Sequence, residues 1–172
     1  MSPEPKEKMG TLQRFYVEFL ANDPFWYDIT ESKLLMTGFT GGLTYPLESE
    51  DYQFADIAAT AKIINNGDWL TPVRFEFSGA TTNPVITNVT TGEYIEVAKT
   101  LVEGERLYID TSYGNKTVTF VNTEGVISSA CNLITNTSSF FQLQVGENRL
   151  TFVADTGTPE IFIVWRNRFV GV

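Results

Sequence analysis

Apolar and polar residues alternate with period two through much of this chain. Val73-Arg74-Phe75-Glu76-Phe77 is the cleanest case, and Thr117-Val118-Thr119-Phe120-Val121 and Arg106-Leu107-Tyr108-Ile109-Asp110 repeat it. Successive side chains of a strand point to opposite faces, so this period predicts strands with one face in a core and the other toward water. Tyr94-Ile95-Glu96-Val97 reads the same way, after the turn Thr90-Thr91-Gly92-Glu93. The segment Ser138 to Phe152 alternates on both sides of Gly146-Glu147-Asn148 and is read as a hairpin turning there. Ile161-Phe162-Ile163-Val164-Trp165 is apolar throughout, which predicts a strand placed centrally or covered on both faces.

The first third is less regular. Arg14 to Leu20 alternates, with Phe15, Val17 and Phe19 on one face, and is read as a strand ended by Asn22-Asp23-Pro24. Residues 28–50 carry Gly and Pro punctuation around short apolar pieces such as Lys33-Leu34-Leu35-Met36. Between 52 and 64, Phe54, Ile57, Ala58 and Ala61 fit a helical face, whereas Ala61-Lys62-Ile63-Ile64 fits a strand; a strand near 60–65 is the preferred reading. Short strands with turn signals roughly every ten residues predict an all-β fold, an antiparallel sandwich with little helix. The domain reading is a disordered start plus linker strand over 1–24, then a β-sandwich over 25–172.

Composition narrows the function. The 172 residues are 42% hydrophobic and 13% aromatic, enough for one domain with a real core. A net charge of −9 repels phosphate backbones and anionic lipid, so neither nucleic acid nor membrane is an expected partner. The longest apolar run is far shorter than the ~20 residues of a membrane-spanning helix, and the Pro- and Lys-rich start has no secretory apolar segment. Synthesis in a cytoplasm is therefore expected.

The chain has no histidine and one cysteine, Cys131. Histidine-activated nucleophiles, histidine bases and histidine metal ligands are thereby excluded. Among the carboxylates, Glu93 and Glu96 are an odd number of residues apart and face opposite sides of a strand, while Glu103 and Glu105 flank a turn. No acid pair suits catalysis, and Asp110 and Asp155 lack the dense acids of a calcium loop. The expectation is no catalytic residue, no metal and no cofactor. Carbohydrate contact is the competing function. A pyranose stacks on flat aromatics flanked by polar groups, which selects Trp69 and Tyr113 as candidates, then Trp165 with Arg166 and Asn167. The structural alternative has Trp69 anchoring its loop to the sandwich edge and Trp165 in the core.

The order and spacing of one set of residues resembles a family. Asn65-x-Gly67, Pro72, Phe75-x-Phe77-x-Gly79, Asn83-Pro84-x-Ile86-x-Asn88 and Thr91-Gly92-Glu93 come first. Gly104-Glu105-x-Leu107-x-Ile109-Asp110-Thr111, Ser138-x-Phe140 with Leu143, Gly146-x-Asn148 and Trp165-Arg166 follow. Over residues 63–172 this resembles the C-terminal domain of siphophage distal tail proteins, and Phe15 to Tyr27 resembles the family's link between its two domains. The resemblance implies a galectin-like, jelly-roll type of sandwich and a structural role at a phage or prophage tail tip or baseplate. It also implies other tail proteins as partners, location in the virion after synthesis in the bacterial host, and a hexameric ring built by an N-terminal domain. That ring domain is missing here, so the chain is expected to be a monomeric C-terminal fragment. The histidine-centred sugar site of true galectins has no counterpart in it. The alternative function is a carbohydrate-binding module that aids adsorption to the host wall.

Overall fold

Strict alternation becomes a sheet only where neighbours supply the ladder, and in the computed structural model nearly every alternating segment finds one. The structure describes residues 16–18, 20, 23–37 and 58–171. The strands are β1 (Phe25–Tyr27), β2 (Ser32–Thr37), β3 (Ala58–Asn65), β4 (Val73–Ser78) and β5 (Thr81–Thr82). Next come β6 (Val85–Asn88), β7 (Glu93–Glu96), β8 (Thr100–Leu101), β9 (Arg106–Asp110) and β10 (Thr117–Val121). The last are β11 (Ile127–Ser129), β12 (Gly146–Val153), β13 (Thr156–Gly157), β14 (Glu160–Trp165) and β15 (Arg168–Val170). A single 3₁₀ turn, Cys131–Leu133, is the helical content of the described residues.

A six-stranded sheet, in the order β11-β10-β9-β4-β14-β2, faces a four-stranded sheet ordered β3-β12-β6-β7. The small sheet β13-β5-β8 and the ribbon β1-β15 are the other sheets of the described residues, and every pairing among them is antiparallel. Inward rows from the two layers form the core. Phe75, Phe77, Leu107, Ile109, Ile161 and Ile163 come from the first layer, and Ile63, Ile86, Ile95, Leu150 and Phe152 from the second. The Phe77 and Phe152 rings meet across the layers at 6.1 Å, and Phe141 meets Phe75 edge-on at 5.7 Å. The fold is thus the all-β sandwich that the alternation predicts.

β14 runs between β4 and β2, as its apolar composition requires. Its outward Phe162 lies under the Lys33 ammonium at 3.9 Å, which shields an aromatic that would otherwise face water. The segment 58–65 is a strand along its whole length, so the helical reading fails for Ala58 and Ala61; Phe54 and Ile57 lie outside the described residues. Lys33 to Met36, read as an apolar piece among loops, belongs to β2 at the border of the six-stranded sheet. The expected disordered start and the loop signals at 38–50 lie outside the described residues.

Two readings are corrected. Tyr16 to Glu18 and Leu20 form no strand; Tyr16 is 96% and Leu20 91% exposed, and no neighbour among the described residues supplies a ladder to them. Arg14, Phe15 and Phe19 lie outside the described residues. The second correction is the hairpin at 146–148. Those residues open β12, which pairs with β3 along eight residues and with β6 on its other side. Asn148 takes the place of a hairpin partner. Its buried Oδ1 accepts from Gln144 N at 2.9 Å, and its Nδ2 donates to Gln144 O at 2.7 Å and Gly146 O at 3.1 Å. Gly146, at φ +88°, supplies the bend that lets this side chain reach back.

Candidate functional site

One corner of the sandwich gathers the polar groups that the sequence scatters most widely. Asn65 ends β3, where its side chain folds the next residues into a turn. Its Oδ1 accepts from Gly67 N at 3.0 Å, and its Nδ2 donates to Trp69 O at 2.9 Å and Leu143 O at 3.3 Å. Gly67 then lies flat on β15. A Cβ there would come within 2.3 Å of Arg168 O, so only glycine allows the approach. Asp68 N donates to Arg168 O at 2.8 Å, and Trp69 bridges to Arg168.

The incoming segment 23–28 is fastened to the same corner. β1 pairs with β15 as Phe25↔Val170, Trp26↔Phe169 and Tyr27↔Arg168. Asn167 ties the adjoining backbone: Nδ2 donates to Asp28 Oδ2 at 2.7 Å, and Oδ1 accepts from Asn66 N at 3.2 Å. Phe25 stacks on Trp69 with ring centroids 5.7 Å apart and planes inclined by 23°.

Arg168 is the centre of the knot and is 5% exposed. Its Nε and Nη2 donate to the Tyr27 hydroxyl at 3.0 and 2.7 Å, and Nη2 also donates to Asp23 Oδ2 at 2.5 Å. The guanidinium carbon lies 4.8 Å from the Phe25 ring centre and 5.3 Å from that of Tyr27. Tyr27 in turn donates to Asp23 Oδ2. A buried guanidinium is tolerable because its charge meets a carboxylate and its donors meet oxygens. Burial opposes ionisation of Asp23, yet the Tyr27 hydroxyl and Arg168 outweigh it and hold the carboxyl below its usual value. Burial, with the hydrogen bond to Asp23, pushes the Tyr27 hydroxyl above its usual value. Every ionised group in the knot is matched within it. The arrangement fixes the 23–28 segment against the sandwich.

Trp69 and Asn167 therefore meet in one corner, joined through Arg168. Trp69 is 50% exposed, with one ring face against Phe25, an arrangement that suits a loop anchor. Tyr113 is 83% exposed in the turn between β9 and β10. Trp165 packs partly on the core, and with Arg166 it lines a groove on the outer side of β14. Asp23, Tyr27 and Arg168 are absent from the sequence-based candidates. The available signal was Arg166-Asn167-Arg168 set between apolar runs, where an arginine in a strand needs a partner.

A family model described as siphovirus-type tail component, C-terminal domain, matches residues 66–169. No curated protein matches the chain, and no solved structure does.

Proposed function

The chain belongs to the siphovirus-type tail component family and is a structural component of a phage tail, and we propose that it acts as the C-terminal domain of a distal tail protein. In this reading the sandwich is a rigid module at the tail tip or baseplate that docks neighbouring tail proteins through sheet faces and loops. It is made in the host cytoplasm and carried into the virion. Docking of this kind rests on shape and matched polar groups rather than on reactive ones.

The observation that carries the reading, beyond membership, is the Arg168 knot. It gives the segment leading into the sandwich one direction, as a load-transmitting module needs. The 19.3 kDa chain alone is expected to be a monomer. Gold-labelled antibodies against it, applied to purified particles, test the placement. Label confined to the distal end of the tail is expected; label on the capsid or along the whole tube would defeat the assignment.

A further inference from the structure

We propose that the groove bounded by Arg74, Asp110, Ser112 and Arg166, on the outer side of the six-stranded sheet, binds a neutral pyranose. The inference is independent of the docking role, since a sandwich can dock tail proteins with or without a sugar site.

Register builds the groove. Lys33, Val164, Arg74, Asp110 and Thr117 form one row across β2, β14, β4, β9 and β10. Their chain neighbours Ile163, Phe75, Ile109 and Val118 are buried in the core, so this row faces outward. At the end of the row Pro72, Trp165, Arg166 and Tyr27 rise around a hollow of about 330 Å³. A second hollow of about 380 Å³ continues it over Lys33, Glu76 and Tyr108, sharing Glu31, Arg74, Asp110 and Val164. Each is of the size at which small-ligand clefts begin, at roughly 300 Å³.

The lining offers donors beside acceptors. Arg74 Nη2 and Arg166 Nη2 both reach Glu31 Oε1, at 2.7 and 3.3 Å, and the two arginine side chains remain about half exposed. A guanidinium carries five N–H donors, more than one shared oxygen can occupy. Asp110 Oδ1 accepts from Ser112 N at 2.8 Å, which leaves its other oxygen to accept from a ligand. A hydroxyl both donates and accepts, so a vicinal diol is the ligand group that uses an arginine and a carboxylate together. Val164 and Pro72 supply apolar contact for the C–H face of a sugar ring.

Charge selects a neutral ligand over an anionic one. Arg74 and Arg166 are matched in number by Glu31 and Asp110, so the hollow has no net charge, while the chain as a whole carries −9. An anion would meet repulsion at a distance and no compensating field at the site.

Amide chemical shifts of the ¹⁵N-labelled chain, titrated separately with glucose, galactose, N-acetylglucosamine and rhamnose, test this. At least one sugar is expected to shift the amides of Arg74, Asp110, Ser112 and Arg166 saturably, with a Kd on the order of 1–10 mM. Arg166→Ala and Asp110→Asn should each weaken that binding about tenfold, with shifts elsewhere reporting an intact fold, and Trp69→Ala should leave it unchanged. The proposal is overturned if no neutral sugar gives saturable shifts, or if only glucuronate or inorganic phosphate binds. It is equally overturned if Trp69→Ala abolishes binding while the two groove variants bind normally.

Discussion

Replacing Arg168 by Met keeps the aliphatic stem and removes the guanidinium, which isolates the charge and hydrogen bonds of the knot. Removing one member of a buried ion pair costs about 3–5 kcal/mol when the partner is left dry. Here the partner has an escape. The Asp23 side chain is 39% exposed and can rehydrate once the segment lifts, so the lower end, about 3 kcal/mol, is the better figure. The loss should fall on undocking of residues 23–28 rather than on the body, since the knot contacts the body mainly through Leu70 O and β15. About 3 kcal/mol is a change of roughly 100-fold in the opening equilibrium. Hydrogen exchange reads it directly. The Asp28 amide, bonded to Asn167 O at 3.2 Å, should exchange about 100-fold faster, while amides in β4 and β9 keep their protection. Unchanged exchange at Asp28 would show that Arg168 does not hold the segment. Equal acceleration throughout the sandwich would show that the segment and the body open only together.

Three further outcomes follow from other parts of the fold. Asp23 has a depressed carboxyl value, so its contribution to docking is full above the usual 3.8 and is lost as pH falls through the lower folded value. Tyr27 is raised, so its contribution is full below 10.0 and is lost as pH climbs through the higher folded value. Tryptophan fluorescence, dominated at this corner by Trp26 and Trp69, should therefore be flat between those limits and change beyond them, with Asp23→Asn abolishing the acid change alone. Asn148→Ala strands the N–H and C=O of Gln144 and should cost about 2–5 kcal/mol in denaturant unfolding, with Asn148→Asp no milder, because a buried carboxylate would face the carbonyls of Gln144 and Gly146. Phe152→Ala removes a fully buried ring between the layers and should cost about 3–5 kcal/mol, seen calorimetrically as a Tm lower by roughly 6–20 °C.

The sandwich was legible where one face of a strand is buried and the other wet. Val73 to Phe77 and Arg106 to Asp110 alternate because Phe75, Phe77, Leu107 and Ile109 enter the core while Arg74, Glu76 and Arg106 stay out. The same rule explains the misreading at 138–152. Phe141, Leu143, Leu150 and Phe152 are buried as the alternation predicts, whereas Val145 is exposed and Asn148, read as a turn residue, is buried. The pairing partner was not legible, because period two reports which way side chains point and not which strand lies alongside. β12 pairs with β3, Val153 with Ala58 and Gly146 with Asn65, which no local turn signal announces. The polar corner around Arg168 was half legible for a similar reason. Trp69 stands out as an aromatic in a Gly-Asp loop. Arg168 and Asp23, 145 residues apart, become partners only through the fold.

The pairing of Phe25 with Val170 has an architectural outcome. Paired strands lie about 5 Å apart, so residues 25 and 170 sit side by side at one edge of the fold. Such a body can hang as a pendant from a single loop of another protein without stretching that loop's two stems. Sewing residue 170 to residue 25 with a few glycines should likewise permit new termini at the β6–β7 turn, giving a circular permutant with the same two layers.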